Sequence, residues 1–225
     1  DYKFFISNER VAPFEQIDTL YRAHGSDFSK ADRRAVQEFL YLCDTEAFLM
    51  KELGRSRPAF TLQGTGHFKA DGEHGAKEFR RFLGLADMDI PTDIYASLRQ
   101  GGAHVFRRRL GNSNISGLFV RHPAAGHCLL VNYSEDIYRQ RFSAGHEMAH
   151  SVYDADTGAS VSYMKHHGPD LREVRANRFA SCLLLPPATL RALPPLEGWD
   201  TEQALGFAKQ FRVSCDALGV AMQAA

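Results

Sequence analysis

The residues able to do chemistry gather in one stretch, Arg141-Phe142-Ser143-Ala144-Gly145-His146-Glu147-Met148-Ala149-His150. It contains H-E-x-x-H. On a helix, two histidines four residues apart lie about 40° apart around the axis, so both imidazoles can reach one ion. Glu147 is turned roughly 100° from His146 and 60° from His150, which sets it beside such an ion and outside its ligand set. Two neutral nitrogen donors suit a divalent zinc, and a carboxylate beside the open position suits removal of a proton from a bound water. That is the chemistry of metal-assisted hydrolysis. The competing reading is a pair of surface histidines on an amphipathic helix. Tyr138, Phe142, Gly145, Ala149 and Val152 would form the apolar stripe of that helix, with both histidines on its border.

A hydrolytic zinc site needs a third protein ligand and an open fourth position. Glu173 follows in Asp170-Leu171-Arg172-Glu173-Val174-Arg175-Ala176-Asn177-Arg178-Phe179-Ala180, a segment that reads as a helix capped by Asp170 and stopped before Pro186-Pro187. Ala176, Ala180, Leu183 and Leu184 share a face with Glu173, and the small alanines would let this helix lie close to the first. D-x-x-E is also a capping box, so on spacing alone Glu173 is either a ligand or a cap.

The two motifs together, R-x-R-F-x-x-x-H-E-x-x-H and E-x-x-A-N-x-F-A-x-x-L-L-x-P, resemble those of the ImmA/IrrE metallopeptidases. The resemblance runs from about Ala76 to Ala225. It implies zinc held by His146, His150 and Glu173, with Glu147 as catalytic base. It also implies a protein substrate, a repressor of the helix-turn-helix type, cleaved in a stress or mobile-element response.

Between the two ligand segments, residues 151–169 read as a polar and aromatic loop. Tyr153, Tyr163, His166 and His167 are its candidates to donate a hydrogen bond to a developing oxyanion. Asn177, one turn after Glu173, is placed to orient a neighbouring group. His67, His74, His104, His122 and His127 have no partner at ligand spacing and read as loop, turn or sheet residues.

The elements that must position these residues follow from periodicity and punctuation. Asp1–Ile6 is an aromatic opening, strand or short helix. Ser29 caps a long helix ending at Gly54, with Val36, Phe39, Leu40, Cys43, Ala47 and Met50 on one face. That face needs a partner: the peptidase core, a second copy, or a further neighbour. The chain begins without Met, and its opening resembles the segment that follows a Cro/repressor-type DNA-binding domain in longer regulators, so a fragment is expected. Residues 55–75 read as a linker, Ala76–Leu85 as a short helix, and Pro91 opens another through Gln100. Ala103–Arg108, Ile115–Arg121 and His127–Asn132 read as three strands of a small antiparallel sheet directly before the H-E-x-x-H helix. An edge strand of this sheet is expected to hold substrate in extended form. Two helices close the chain as a hairpin. Its last helix has no Lys or Arg, so a packing role is expected and not DNA reading.

This pattern predicts an α+β, zincin-like metallopeptidase over residues 76–225 with a helical N-terminal region over 1–54. Lys and Arg balance Asp and Glu at 27 each, which leaves no overall field for nucleic acid or membrane. Arg107-Arg108-Arg109 reads as a solvated strand end. The four cysteines (Cys43, Cys128, Cys182, Cys215) form no C-x-x-C pair, which argues for a reducing compartment and against a zinc ribbon. With no signal peptide or membrane-length apolar run, a cytoplasmic protein is expected. A second reading, from another class, is a transcriptional regulator or scaffold whose zinc is structural or sensory. Two His and a carboxylate also suit manganese or iron.

Overall fold

The structure, a computed structural model, describes residues 27–163 and 170–224. The expected opening at Asp1–Ile6 lies outside the described residues, as do His166 and His167.

Ser29 starts helix α1 (Lys30–Glu52) through a full capping box. Its hydroxyl takes the Asp32 amide at 3.1 Å, and the Asp32 carboxylate takes the Ser29 amide at 3.0 Å. Val36, Phe39, Leu40 and Cys43 recur at helical spacing and are fully buried. They pack on one face of the sheet, against Leu118, Val120, Cys128 and Leu130. Of the three partners open to this helix, the sheet of the same chain is the one observed.

The sheet departs from the expected three-stranded antiparallel form. It has four strands in the order β1-β3-β2-β4: β1 (His104–Arg108), β2 (Ile115–His122), β3 (Gly126–Asn132) and β4 (Ala159–Tyr163). β2 runs antiparallel to both β3 and β4, while β1 lies parallel to β3. The reason is that β3 inserts between β1 and β2, so the short connection between those two must cross its end. Asn132, the last residue of β3, fixes that crossing. Its amide donates to Ile115 O at 2.8 Å and its oxygen accepts from Leu110 N at 3.1 Å. The fourth strand lies in the stretch read as a loop. Its alternation of small or apolar residues with serine, Ala159-Ser160-Val161-Ser162-Tyr163, is too short to stand out against loop composition.

Alternate residues of the sheet face opposite sides, as period two requires. Val105, Phe119, Leu129 and Val131 meet a second core formed with Phe79, Ile94, Leu98, Met148 and Phe179. Each such side chain contributes about 1.5–3 kcal/mol on burial. The helices of this layer are α2 (Phe68–Phe82), α3 (Ile94–Gln100), α4 (Ile137–Tyr153) and α5 (Leu171–Leu184). α2 begins well before the expected Ala76, so residues 68–75 are helical and not part of a linker. α3 starts at Ile94 with Asp93 as cap, three residues after Pro91. Arg141 is buried and ties the layer together, donating to Pro91 O, Thr92 O and Arg212 O at 2.7–3.1 Å.

After α5, Pro187 opens a short helix that the sequence reading missed, α6 (Pro187–Arg191). The expected hairpin follows as α7 (Thr201–Phe211) and α8 (Cys215–Gln223), with Ser214 capping the second. Val213, Leu218 and Ala221 are buried against the main core, in keeping with a packing role. Among the described residues no helix is long and apolar enough to cross a membrane.

Candidate metal centre and active site

Helix α4 carries the H-E-x-x-H residues. Asp136 caps it by accepting from Tyr138 N and Arg139 N, both at 3.0 Å. The helix is buried on all sides from Ser143 to Val152, so the surface-histidine reading fails: His146 is 6% exposed and His150 2%. α5 crosses close to it. A Cβ on Gly145 would already lie 3.4 Å from the Ala180 Cα, and this approach of small residues brings Glu173 over the histidines.

Glu173 reaches both of them. Its Oε2 lies 3.1 Å from His146 Nε2 and its Oε1 lies 3.1 Å from His150 Nε2, while the two Nε2 atoms are 3.0 Å apart. The helix cap at this end is Asp170 alone, accepting from Arg172 N, with no capping box. The open choice for Glu173 thus resolves towards the cluster. Donors 3.0–3.1 Å apart are close enough for His146, His150 and Glu173 to hold one divalent ion between them. Among the described residues this is the group of His, Cys, Asp and Glu side chains able to hold a metal ion. No cysteine joins it; Cys43, Cys128 and Cys182 are buried elsewhere and Cys215 is exposed.

The far nitrogens are also held. His146 Nδ1 lies 3.0 Å from Asn177 Oδ1, the orienting role expected of Asn177, and His150 Nδ1 lies 2.9 Å from Asp154 Oδ2. These contacts leave both Nε2 atoms turned to Glu173 and fix the tautomer a metal requires. Asp154 was not singled out from the sequence, although it stands four residues past His150, where a helix pairs side chains. Arg175, buried between the rings of Phe68 and Tyr153, donates to its second oxygen. Burial works against charge on His150, but the bonds to Asp154 and Glu173 outweigh it and raise its pKa to about 10. Burial likewise opposes charge on Glu173, and the two histidines hold its carboxyl well below the ordinary range.

Glu147 is fully buried, and neither carboxylate oxygen makes a well-aligned hydrogen bond, although the Ser162 hydroxyl lies near enough to favour its charged form. Burial pushes its pKa up to about 8. An ionisable group removed from water without a well-aligned hydrogen bond costs several kcal/mol, which marks a group kept for chemistry. The room for it comes from Gly117 on β2, where a Cβ would lie 2.8 Å from Glu147 Oε1. The cluster opens into a small pocket of about 130 Å³, lined by Ser116, Ser143, Glu147, Ser162, Tyr163 and Asn177 among others. A larger cavity of about 750 Å³ lies at the other end of α4, beside Arg57, His104 and His127, and does not include the cluster.

The proposed oxyanion donors fare differently. Tyr153 is not at the site: its hydroxyl donates to Asp71 O at 2.8 Å, and it faces the larger cavity. Its position near the end of α4 turns it towards α2. Tyr163 does line the pocket, with its hydroxyl donated to Asp27 Oδ2 at 2.8 Å. His166 and His167 lie outside the described residues. Two other histidines take structural places: His104 Nδ1 is 2.8 Å from Glu46 Oε2, and His122 Nδ1 accepts from Ala124 N and Ala125 N.

A mixed α+β frame that gathers two histidines and a glutamate beside a fully buried carboxylate defines a class, the hydrolytic proteins built on an H-E-x-x-H helix. Within it the assignment is specific. Residues 99–223, more than half of the chain, match the peptidase family M78 described as the IrrE N-terminal-like domain, and the chain belongs to that family. The match spans β1 through α8 and includes all four residues of the cluster. Comparison with curated protein sequences gives no match.

Proposed function

We propose that the protein is a zinc-dependent endopeptidase of zincin-like architecture, with His146, His150 and Glu173 as metal ligands and Glu147 as general base. The single observation carrying this is the convergence of the three donors within 4.8 Å of one another beside a fully buried carboxylate that makes no well-aligned hydrogen bond. A divalent ion held there supplies Lewis acidity, polarising a peptide carbonyl and acidifying a water. The chain's own residues do the rest. Glu147 takes a proton from the water as its oxygen bonds to the scissile carbonyl carbon, then delivers that proton to the amine nitrogen as the C–N bond breaks. Asn177 and Asp154 hold the imidazoles in register throughout. Tyr163 stands at the pocket wall, the remaining described candidate for steadying the oxyanion.

The target follows from family resemblance alone: a helix-turn-helix repressor, cleaved in the cytoplasm to release its genes. β4 is an edge strand beside the pocket, in keeping with a substrate held in extended form along it. A purely structural or sensory metal has no use for Glu147, so the hydrolytic reading is the better supported. Glu147→Gln should retain one metal per chain by elemental analysis and lose cleavage of a co-expressed repressor, while His150→Ala should lose both. Full cleavage by the glutamine variant would refute the base.

A further inference from the structure

A second hollow adjoins the one at the histidines. The small pocket and a larger one of about 590 Å³ share Arg139, Phe142 and Asn177 in their walls, so they form one trough along the crossing of α4 and α5. From the cluster it follows a single row of α5, Glu173, Asn177, Ser181 and Leu184, spaced as neighbours on one helix face. Past Asn177 its character changes. Half-buried Phe142 and the nearly buried Leu184, Leu185 and Val213 form an apolar floor, and Ala217 and Val220 of α8 form the opposite side. Val220 is 68% exposed. Singly exposed valines are ordinary, but this one borders an apolar hollow that leads to the candidate ligands.

The rim is acidic. Asp136 and Asp216 are exposed, while Arg139, the cation in the wall, is bonded to Glu135 at 3.1 Å. Both aspartates stand at helix N-termini, each of which contributes about half a positive unit. The rim still carries about one net negative charge on that reckoning.

We propose that this trough is the subsite that selects the substrate. A large apolar side chain next to the scissile bond, of the size of Leu, Met or Phe, seats against Phe142, Leu184, Ala217 and Val220. A Lys or Arg beside it meets Asp136 and Asp216, and an acidic neighbour is disfavoured. The inference rests on the peptidase reading and gives the C-terminal hairpin a part in specificity beyond closing the core. Its occupant is the substrate polypeptide because the trough is continuous with the pocket where the carbonyl must sit.

The test uses the full chain loaded with zinc and a set of hydroxamates measured by calorimetry. Acetohydroxamate probes the metal centre alone. Its relatives carry Ala or Leu on the N-terminal or the C-terminal side of the chelating group. The expected result is one acetohydroxamate bound per chain, and in one orientation a Leu compound at least tenfold tighter than its Ala counterpart. Ala217→Trp, which fills the trough, and Val220→Asp, which charges an exposed position, should each erase that advantage and leave acetohydroxamate binding in place. A lysine added next to Leu should bind more tightly than a glutamate, by about tenfold. Equal binding of Leu and Ala compounds in both orientations overturns the subsite while the peptidase reading stands. So does a Leu advantage that survives both substitutions. Failure to bind acetohydroxamate at all overturns the peptidase reading and the subsite with it.

Discussion

A methyl group added at Gly117 tests the placement of Glu147, the proposed general base. Its Cβ would meet Glu147 Oε1 at 2.8 Å, Glu147 Cγ at 3.0 Å and Leu130 O at 2.8 Å. Leu130 lies in β3, where Gly117 pairs with Val131, so its carbonyl cannot retreat without loosening the ladder between β2 and β3. The Glu147 side chain must move instead, in a position with no exposed surface. Overpacking of this kind costs about 1–3 kcal/mol, offset in part by the roughly 0.5–1 kcal/mol that alanine gains over glycine inside a strand. A net loss of about 0–2.5 kcal/mol lowers Tm by up to about 10 °C in a chain of this length. None of the three atoms nearest that Cβ belongs to His146, His150 or Glu173, so metal content should stay at one per chain. Turnover should fall much further than stability, by about 10–100-fold, because a reacting group displaced by about 1 Å loses its alignment. Differential scanning calorimetry, elemental analysis and cleavage assays on Gly117→Ala check the three parts. A variant with unchanged Tm and unchanged kcat/KM would refute the claim that β2 makes room for the base.

Two further outcomes follow from the same geometry. Asn177→Ala removes the oxygen 3.0 Å from His146 Nδ1 and should weaken zinc affinity about 10–100-fold. Because Asn177 is exposed, Tm of the metal-free chain should barely change; competition with a chromogenic chelator gives the affinity, and parental affinity would remove Asn177 from the site. Away from the site, the hydrogen bond from His104, then burial working against it and the bond from Arg57, set the Glu46 carboxyl, whose pKa falls from 4.5 to about 2. The stability this contributes is present above about 4.5 and lost as pH falls through about 2. Glu46→Gln should therefore flatten the decline of Tm between those limits, and an unaltered slope in the glutamine variant would show that the pair contributes nothing.

What the sequence made legible was the local chemistry. H-E-x-x-H, the Asp170 cap and the alanines of α5 each state a spacing or a size, and such features survive folding intact: His146, His150 and Glu173 meet as the motifs imply. Asn177 could be read because it sits one helical turn from a ligand. Asp154 carries the same kind of signal, four residues past His150, but it stands just past the last helical residue, where composition reads as loop. Other features depend on distant partners and have no local signature. Gly117 matters only because β2 passes Glu147, and Tyr153 left the candidate donors because Asp71 of α2 takes its hydroxyl. The parallel pairing of β1 with β3 was hidden for a similar reason. A short connection suggests neighbouring antiparallel strands, and only the buried Asn132 shows that another strand lies between them. β4 was lost to length, since five alternating residues resemble any polar loop.

The sheet has no bare side, and that sets a limit on how far the protein can be trimmed. A fragment cut to residues 99–223 would shed α1 and α2 together. Leu118, Val120 and Leu130 would then face water where Val36, Phe39 and Leu40 had covered them, and α5 would lose the contacts of Phe79. Such a piece would retain every residue that the family match spans and still be prone to clump in solution. The His146, Glu147, His150 and Glu173 cluster is encoded in the second half of the chain, but the cover for one face of its sheet is supplied by the first.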